Sequence, residues 1–213
     1  FSIRFTYGSL TVEDEKGDYI SPENSLKIYN NMEAFKMLLK SDKNKLTPYD
    51  LVDVVDQVNK NINFFENGFR RININIQGAD FLPIDVKDVI PAMYSLFNNY
   101  YNIWDVLPVY EREARFHIAL LKIHPFEDGN GRTARIVMNY NLWKNGKAPI
   151  VIRKEDREKY FDFISNNKVK EFAEYIKEQS NKELDFMLTL YEQICNNTFD
   201  NNVENDNFKK IRQ

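Results

Sequence analysis

The sequence has little cysteine and no long apolar run. Its single cysteine, Cys195, cannot form a disulfide within the chain, which is typical of a protein in a reducing compartment. No uninterrupted apolar run reaches the roughly 20 residues that a membrane-spanning helix needs, and residues 1–10 lack the charged-then-apolar layout of a secretory signal. We therefore predict a cytoplasmic protein without a membrane partner. Its start at Phe1 rather than at Met predicts that upstream residues are missing.

An excess of basic residues is also absent. The chain has 29 Lys and Arg against 32 Asp and Glu, which gives a formal net charge of −3 and a pI near 5.6. Such a balance does not create the positive field that draws a protein to nucleic acid. We therefore predict no nucleic-acid partner and expect any recognition of an anion to be local.

Glycine and proline are scarce as well. Only 7 Gly and 7 Pro interrupt the 213 residues, and apolar residues recur at three- and four-residue spacing, so the pattern predicts a mainly α-helical fold. Thr47 followed by Pro48 is typical of a helix start, and Asn145-Gly146 is typical of a helix end. Apart from the two helices that border the motif described below, we predict helices over residues 26–41, 47–65, 86–100, 156–178 and 180–195.

One segment has a different period. Apolar and polar residues alternate over Ile72, Asn73, Ile74, Asn75 and Ile76, and Gly78-Ala79-Asp80 follows as a turn signal. A period of two is typical of a β-strand. We predict a short β-hairpin packed on a helical core, because an isolated hairpin is only marginally stable.

The stretch HPFEDGNGRTAR, residues 124–135, combines residue types that suit chemistry. Gly129 and Gly131 flank Asn130 and allow the backbone to bring its N–H groups close to an anion. The helix that follows adds its own unpaired N–H groups and dipole, and Arg132 and Arg135 lie three residues apart on its first turn. A polyphosphate fits this set, whereas ion pairs on a solvated face are the structural alternative for the two arginines.

Two further side chains in the stretch predict roles in a reaction. Asp128 would repel a phosphate unless Mg²⁺ bridged the two, so we predict that it binds magnesium. His124 ends a buried helix before Pro125 and can accept a proton near neutral pH. Together these residues describe attack by a hydroxyl group on a nucleotide phosphate. A hydrolase metal site formed by His117, His124 and Asp128 is a competing interpretation.

The stretch resembles the complete signature of the Fic family, His-x-Phe-x-Asp/Glu-Gly-Asn-Gly-Arg-x-x-Arg, and the similarity extends over roughly residues 60–180, with weaker similarity before residue 60. The resemblance implies a Fic fold, a helical core with a β-hairpin flap, that transfers AMP from ATP to a Ser, Thr or Tyr hydroxyl of a target protein and releases pyrophosphate. It implies the following roles: His124 as base, Asp128 on Mg²⁺, Asn130 and Arg132 on the α- and β-phosphates, Arg135 on the γ-phosphate, Tyr160 and Asn167 near adenine, and residues 72–76 as the docking edge for the target.

The resemblance also divides the chain. It implies an N-terminal helical segment over residues 1–45, a catalytic domain over residues 46–195 and a peripheral tail over residues 196–213. Family members often carry an inhibitory Ser/Thr-x-x-x-Glu-Gly/Asn helix whose glutamate pairs with the second arginine of the signature. The nearest match here is SLTVED, in which Ser9 and Glu13 fit and Asp14 does not.

Several alternatives remain open at this point. Within the family, the chain could instead remove AMP from modified targets or transfer another nucleotidyl or phosphoryl group. A nucleotide-binding module without catalytic activity is a further interpretation. The target could be the chain itself, and the sequence leaves the oligomeric state open.

Overall fold

The computed structural model describes residues 5, 8, 9, 22–41, 43–62, 68–76 and 81–210, with the backbone alone over residues 196–210. Within these residues it contains seven α-helices: α1 (Pro22–Lys40), α2 (Pro48–Val58), α3 (Val89–Asn98), α4 (Val109–Ile123), α5 (Asn130–Lys144), α6 (Arg157–Ser165) and α7 (Val169–Lys210). Short 3₁₀ turns at Val86–Asp88, Trp104–Val106 and Lys154–Asp156 and a π-helical turn at Asn99–Ile103 complete the regular structure. The prediction of a mainly helical fold is confirmed.

Helix α5 lies at the centre of the core. It packs against α1, α2 and α4, and α4 packs in turn against α7. The interior side chains of α5 include Ile136, Val137 and Leu142, none of which is measurably exposed. Burying side chains of this size stabilises the fold by about 1.5–3 kcal/mol each. The core therefore fixes the position of the first turn of α5, where residues 130–135 begin the helix.

The helix ends follow local signals where those signals are strong. Thr47 caps α2 through a reciprocal pair of hydrogen bonds with Asp50, and Pro48 occupies the first turn. Helix α5 ends at Lys144, and Gly146 adopts a positive φ of 67°, as the Asn-Gly pair predicts. Helix α2 ends at Val58, earlier than the predicted residue 65, because Asn59 caps it and Asn61 adopts a left-handed conformation.

The C-terminal helices differ from the prediction. Helix α6 ends at Ser165, and Asn167 adopts a left-handed conformation with φ 53° before α7 begins at Val169. The predicted helix over residues 156–178 is thus two helices. The predicted boundary near residue 180 does not exist, because α7 continues through it, and the backbone of the predicted tail is helical as far as Lys210. None of the helices in the described ranges combines the length and apolar character needed to cross a bilayer.

The predicted β-hairpin is not confirmed within the residues that the structure describes. Residues 70–76 and 81–85, hereafter the two arms of the flap, contain no β-strand. Instead the Val86 N–H donates to Asn73 Oδ1 at 2.7 Å, and Arg70 donates to the carbonyls of Ile72 and Ile84. The carbonyls of Ile72 and Ile84 therefore accept hydrogen bonds from the Arg70 side chain and not from a paired strand. The turn at Gly78-Ala79-Asp80 lies outside the described residues.

A carboxyl group is buried within the core. Glu113 on α4 has no exposed surface, and it accepts hydrogen bonds from the Tyr100 hydroxyl at 2.6 Å and from Asn141 Nδ2 at 2.9 Å. Burial raises the pKa of Glu113 to about 7, although these two hydrogen bonds and Arg112 oppose the rise.

The start of the chain packs on the same core. Phe5 is 2% exposed, and its ring lies 5.9 Å from that of Phe35 on α1. A Cβ atom added at Gly8 would lie 2.5 Å from Val151 Cγ1, so only glycine fits at this contact. Residues near the N-terminus are therefore in direct contact with the helical domain.

Candidate active site

The loop between α4 and α5 forms the candidate site. Its first residue, His124, adopts a left-handed conformation (φ 50°, ψ 63°), and its last, Gly129, adopts φ 82°. Phe126 anchors the loop, because its ring is 2% exposed and stacks on Phe69 with centroids 5.8 Å apart. As the sequence predicts, the stretch is a loop that joins two buried helices.

His124 carries a neutral imidazole. Its Nδ1 lies 3.3 Å from the Leu121 carbonyl oxygen, which can only accept, so Nδ1 carries the hydrogen and Nε2 carries the lone pair. Burial lowers the pKa of His124 to about 4; the bond to Leu121 opposes this, the Arg70 charge lowers the pKa further, and Asp128 raises it. At neutral pH the imidazole is uncharged and can accept a proton.

The glycines of the loop have different roles. Gly129 is the N-cap of α5, and a Cβ atom there would lie 3.0 Å from Val55 Cγ2 and 3.1 Å from Asn59 Oδ1. Gly131, in contrast, belongs to the first turn of α5 and has no positive φ. The flexibility expected of both glycines is therefore required only at Gly129.

Asn130 shapes the loop from within. Its Oδ1 accepts from the Phe126 N–H at 3.0 Å, and its Nδ2 donates to the Phe126 carbonyl at 2.8 Å. The side chain is 3% exposed. Both ends of the amide therefore stabilise the loop from within, and contact of Asn130 with phosphate stays a prediction.

Arg132 donates to two polar side chains and one main-chain carbonyl in the site. Its Nη2 donates to Asp128 Oδ2 and to Asn59 Oδ1, both at 3.0 Å, and its Nη1 lies 3.4 Å from the Val58 carbonyl. Asn59 also donates from Nδ2 to the Asp128 carbonyl at 3.1 Å. Asn59, which the sequence analysis did not identify, therefore connects the loop to the guanidinium group.

Arg135 contacts the start of the chain. Its Nε donates to Ser9 Oγ at 2.7 Å, and its Nη2 donates to the Ser9 carbonyl at 2.9 Å. Both residues are 2% exposed. Glu13, the other residue of the predicted inhibitory pair, lies outside the described residues.

His117 and Tyr160 belong to the core. His117 Nδ1 bonds to the Ala134 carbonyl at 3.2 Å, so Nδ1 is the donor and Nε2 accepts from the Tyr160 hydroxyl at 2.7 Å. Burial, followed by the Arg135 charge, lowers the pKa of His117 to about 3. Since both nitrogens of His117 are engaged, the structure does not form the two-histidine metal site. Asn167, predicted near adenine, is an exposed residue in the turn between α6 and α7.

The loop lies within the part of the chain that matches a known protein family. Residues 45–142 match the Fic/DOC family, and this range holds α2 to α4, the candidate site and most of α5. The chain carries a Fic-family domain. This Fic domain includes two polar residues near the loop, Asn59 and Arg70, that were not predicted from the sequence. In the sequence, Asn59 is recognisable only as a possible helix cap. No local pattern distinguishes Arg70 from Arg71.

Curated relatives of the Fic domain have a common name. Protein adenylyltransferase Fic of Culex quinquefasciatus is 30% identical over 149 residues, which cover 67% of this chain and 29% of the relative. Protein adenylyltransferase Fic of Drosophila erecta is 32% identical over 150 residues, covering 68% of this chain and 30% of the relative. The chain thus spans less than a third of the length of these relatives.

Solved structures support the same fold. A Fic domain containing signaling protein from Bacteroides thetaiotaomicron superposes with a TM-score of 0.77 at 20% identity, covering 87% of this chain and 84% of that protein. Fic-1 of C. elegans superposes with a TM-score of 0.74 at 19% identity, covering 89% of this chain and 63% of that one. IbpAFic2, solved covalently tethered to Cdc42, has a TM-score of 0.56 at 15% identity over 81% of this chain and 62% of its own.

Asp128 is the residue whose chemistry fits a metal ion. Its side chain keeps 36% of its surface exposed while one carboxylate oxygen pairs with Arg132. A carboxylate oxygen beside a phosphate site is the ligand that Mg²⁺ usually takes from a protein, with phosphate oxygens and water completing the shell.

Proposed function

We propose that this domain transfers AMP from ATP to a Ser, Thr or Tyr hydroxyl of a target protein and releases pyrophosphate. One observation carries the proposal: a neutral histidine, His124, lies in the same short loop as a helix N-terminus that bears two buried arginines, Arg132 and Arg135. The relatives named protein adenylyltransferase support it. Arginine side chains and helix N-termini bind phosphate, and a neutral imidazole removes a proton from an alcohol.

The reaction assigns His124 a defined step. Its Nε2 accepts the proton of the target hydroxyl while the hydroxyl oxygen forms a bond to the α-phosphorus of ATP. The bond between the α-phosphorus and the oxygen that bridges to the β-phosphate breaks, and that oxygen leaves with the electron pair as part of pyrophosphate. A base in this position contributes about 10²–10⁴-fold to a rate.

The remaining residues bind and orient the nucleotide. The N–H groups at the start of α5 face the negative charge of the phosphates, and Arg132 and Arg135 add two cations to the same end of the helix. Asp128 would hold Mg²⁺, which when bound neutralises phosphate charge. Contact of Tyr160 and Asn167 with adenine stays a prediction, as does a cytoplasmic location.

The flap provides the docking edge in this proposal. Asn73 and Asn75 are exposed, Ile74 and Ile76 are half-buried, and Ile72 is 59% exposed. An extended target segment can bind main-chain groups along such an edge with little demand on its sequence. The target is thus defined by its hydroxyl group and an extended backbone, and the chain itself can serve as one.

The N-terminal segment regulates the site in this proposal. Ser9 occupies two donors of Arg135, the residue predicted to bind the γ-phosphate. Glu13 lies four residues further along and would add a carboxylate to the same cation. A segment that holds Arg135 in this way competes with ATP.

The function is tested with ATP labelled either in the α- or in the γ-phosphate, in the presence of Mg²⁺ and a cell lysate. We expect α-label on protein, a mass increase of one AMP on the modified peptide, and loss of both in a folded His124→Ala variant. Transfer of γ-label would show phosphoryl transfer, nucleotide binding without label would show a binding module, and release of AMP from a modified target would show the reverse activity. Each of these three results would overturn the proposal.

A further inference from the structure

The main chain at His124 needs support from outside the loop. A residue other than glycine in the left-handed region costs about 1 kcal/mol or more and persists only where surrounding contacts determine it. At φ 50° and ψ 63°, His124 is such a residue, and its own N–H is already bound to the Leu120 carbonyl as the cap of α4. The direction of its imidazole therefore depends on what binds the carbonyls that follow.

Arg70 supplies that support. Its Nε donates to the His124 carbonyl at 2.8 Å, and its backbone N–H donates to the Pro125 carbonyl, also at 2.8 Å. Arg70 is 3% exposed. Two consecutive carbonyls of the loop are thus bound by one residue that precedes them by more than fifty positions.

The same guanidinium group reaches both arms of the flap. Its Nη1 donates to the Ile72 carbonyl at 2.8 Å, and its Nη2 donates to the Ile84 carbonyl. Within the described residues, every hydrogen bond of this guanidinium goes to a main-chain carbonyl. The planar fork of arginine holds three donors in fixed directions, which the single ammonium of a lysine cannot reproduce.

Ring stacking reinforces the same junction. Phe69 stacks on Phe126, with ring planes 7° apart, and Tyr49 of α2 contacts Phe69 with centroids 5.9 Å apart. The residue before Arg70 is therefore fixed against the residue that follows Pro125. The base of the flap and the catalytic loop form one packed unit.

We propose that Arg70 is a positioning residue for AMP transfer, because it binds the carbonyls of His124, Ile72 and Ile84 and so holds the base in its left-handed turn and joins it to the flap. The proposal rests on the proposed function. A target docked on the flap would act through Arg70 on the orientation of His124. Because its guanidinium donates to main-chain carbonyls, Arg70 is expected to act through His124 and not by contact with nucleotide or target.

The test uses Arg70→Met, which keeps the bulk of the side chain but removes its donors, and Arg70→Lys, which keeps the charge. The matched control is Arg115→Met on α4, an arginine that pairs with Glu111 at the surface. Thermal unfolding first establishes that each variant is folded at the assay temperature. The kinetic readout separates kcat for transfer from KM for ATP. We expect kcat to fall about 100-fold in Arg70→Met, since a displacement of about 1 Å costs a factor of this size, with KM for ATP changed less than about threefold.

A second readout does not require activity. The chain has 2 histidines, so the NMR titration of His124 can be followed with buried His117 as an internal reference. We expect the His124 curve to shift upward in Arg70→Met and the His117 signal to stay unchanged. If Arg70→Met does not fold, Arg70→Lys decides: we expect it to lower kcat at least about tenfold.

The outcomes separate the two proposals. Wild-type kcat in folded Arg70→Met or Arg70→Lys, or an unchanged His124 titration in Arg70→Met, would overturn the role of Arg70. If the wild-type chain transfers no AMP, the proposed function fails, while the His124 ring chemical shifts in Arg70→Lys, which keeps the charge, still decide whether Arg70 positions His124.

Discussion

Arg135 donates two hydrogen bonds to Ser9, one to the side chain at 2.7 Å and one to the carbonyl at 2.9 Å. The two residues are 126 positions apart in the chain. The second arginine of the candidate phosphate site is therefore engaged by the N-terminal segment. Any ligand that takes these donors has to replace Ser9.

Removing the Ser9 hydroxyl is expected to raise activity. A hydrogen bond to a charged group contributes about 1.5–3 kcal/mol, and each 1.4 kcal/mol corresponds to about tenfold. We expect Ser9→Ala to increase kcat/KM for ATP by about tenfold in an assay of AMP transfer. Ser95→Ala, at an exposed serine of α3, serves as the control. Unchanged rates in Ser9→Ala, in Glu13→Gly and after removal of residues 1–20 would show that the segment does not restrain Arg135.

Gly129→Ala is expected to weaken nucleotide binding by about tenfold or more. The new Cβ meets Val55 and Asn59 at 3.0–3.1 Å and is strained at φ 82°. Gly146→Ala is the matched control, because φ is 67° there and nothing lies within 4 Å of the added atom. Both variants should lose about 1 kcal/mol of stability from the backbone. Calorimetric titration with ATP should show the loss of affinity only at Gly129; equal affinities in both variants would contradict it.

Asn59→Ala is expected to raise the Kd for ATP about tenfold. The substitution removes one acceptor of Arg132 and one donor to the Asp128 carbonyl, and a lost hydrogen bond to a charged group costs about 1.5–3 kcal/mol. Asn59→Asp keeps the acceptor for Arg132 and should lose less. Asn102→Ala, at an exposed asparagine bonded to Asn98, is the control. The role of Asn59 would be refuted by a Kd equal to that of the wild type in both Asn59 variants.

As pH rises, we expect the free energy of unfolding of Glu113→Gln to increase relative to that of the wild type. The folded pKa of Glu113 is about 7 and its ordinary value is 4.5. Between these values the unfolded chain has lost the proton that the folded chain keeps, so the wild-type free energy of unfolding falls with rising pH, by about 1.4 kcal/mol per pH unit and on the order of 3 kcal/mol in all.

The measurement has to be a difference between variants. The lowered pKa values of His117 and His124 have the opposite sign, since their contribution to stability is lost as pH falls below 6.5. We therefore compare the free energies of unfolding of wild type and Glu113→Gln in denaturant at pH 4.5, 6 and 7.5. The contribution of the two histidines is present in both proteins and cancels in the difference. Glu111→Gln, a surface residue paired with Arg115, should change stability by less than about 1 kcal/mol. A difference between wild type and Glu113→Gln that does not change with pH would contradict the prediction.

Local features of the chain were predictable where short-range chemistry determines them. The cap at Thr47, the end at Gly146 and the loop between two buried helices all depend on residues within a few positions of one another. The break at Asn167 was missed because it depends on one asparagine adopting a left-handed conformation within a polar stretch that also fits a continuous helix.

The flap shows where a sequence pattern is insufficient. Alternation correctly indicated the relative exposure of residues 73–76, where Asn73 and Asn75 are exposed and Ile74 and Ile76 are half-buried, but not that of Ile72, which is 59% exposed. It did not determine the partners of the backbone. Arg70 binds the carbonyls of Ile72 and Ile84, and it is fixed by contacts with residues far along the chain. Asn59 was similarly beyond reach, since its partner Arg132 lies 73 positions away. Ser9, whose partner Arg135 lies 126 positions away, was identified only through the family resemblance.

Because α5 is both a wall of the candidate site and the middle of the core, its first turn cannot unfold without exposing core side chains. Under the proposed function, we therefore expect control of this domain to act by covering the site and not by unfolding it. We expect a short segment such as the one that holds Ser9 to be sufficient, because its release leaves the first turn of α5 packed in the core.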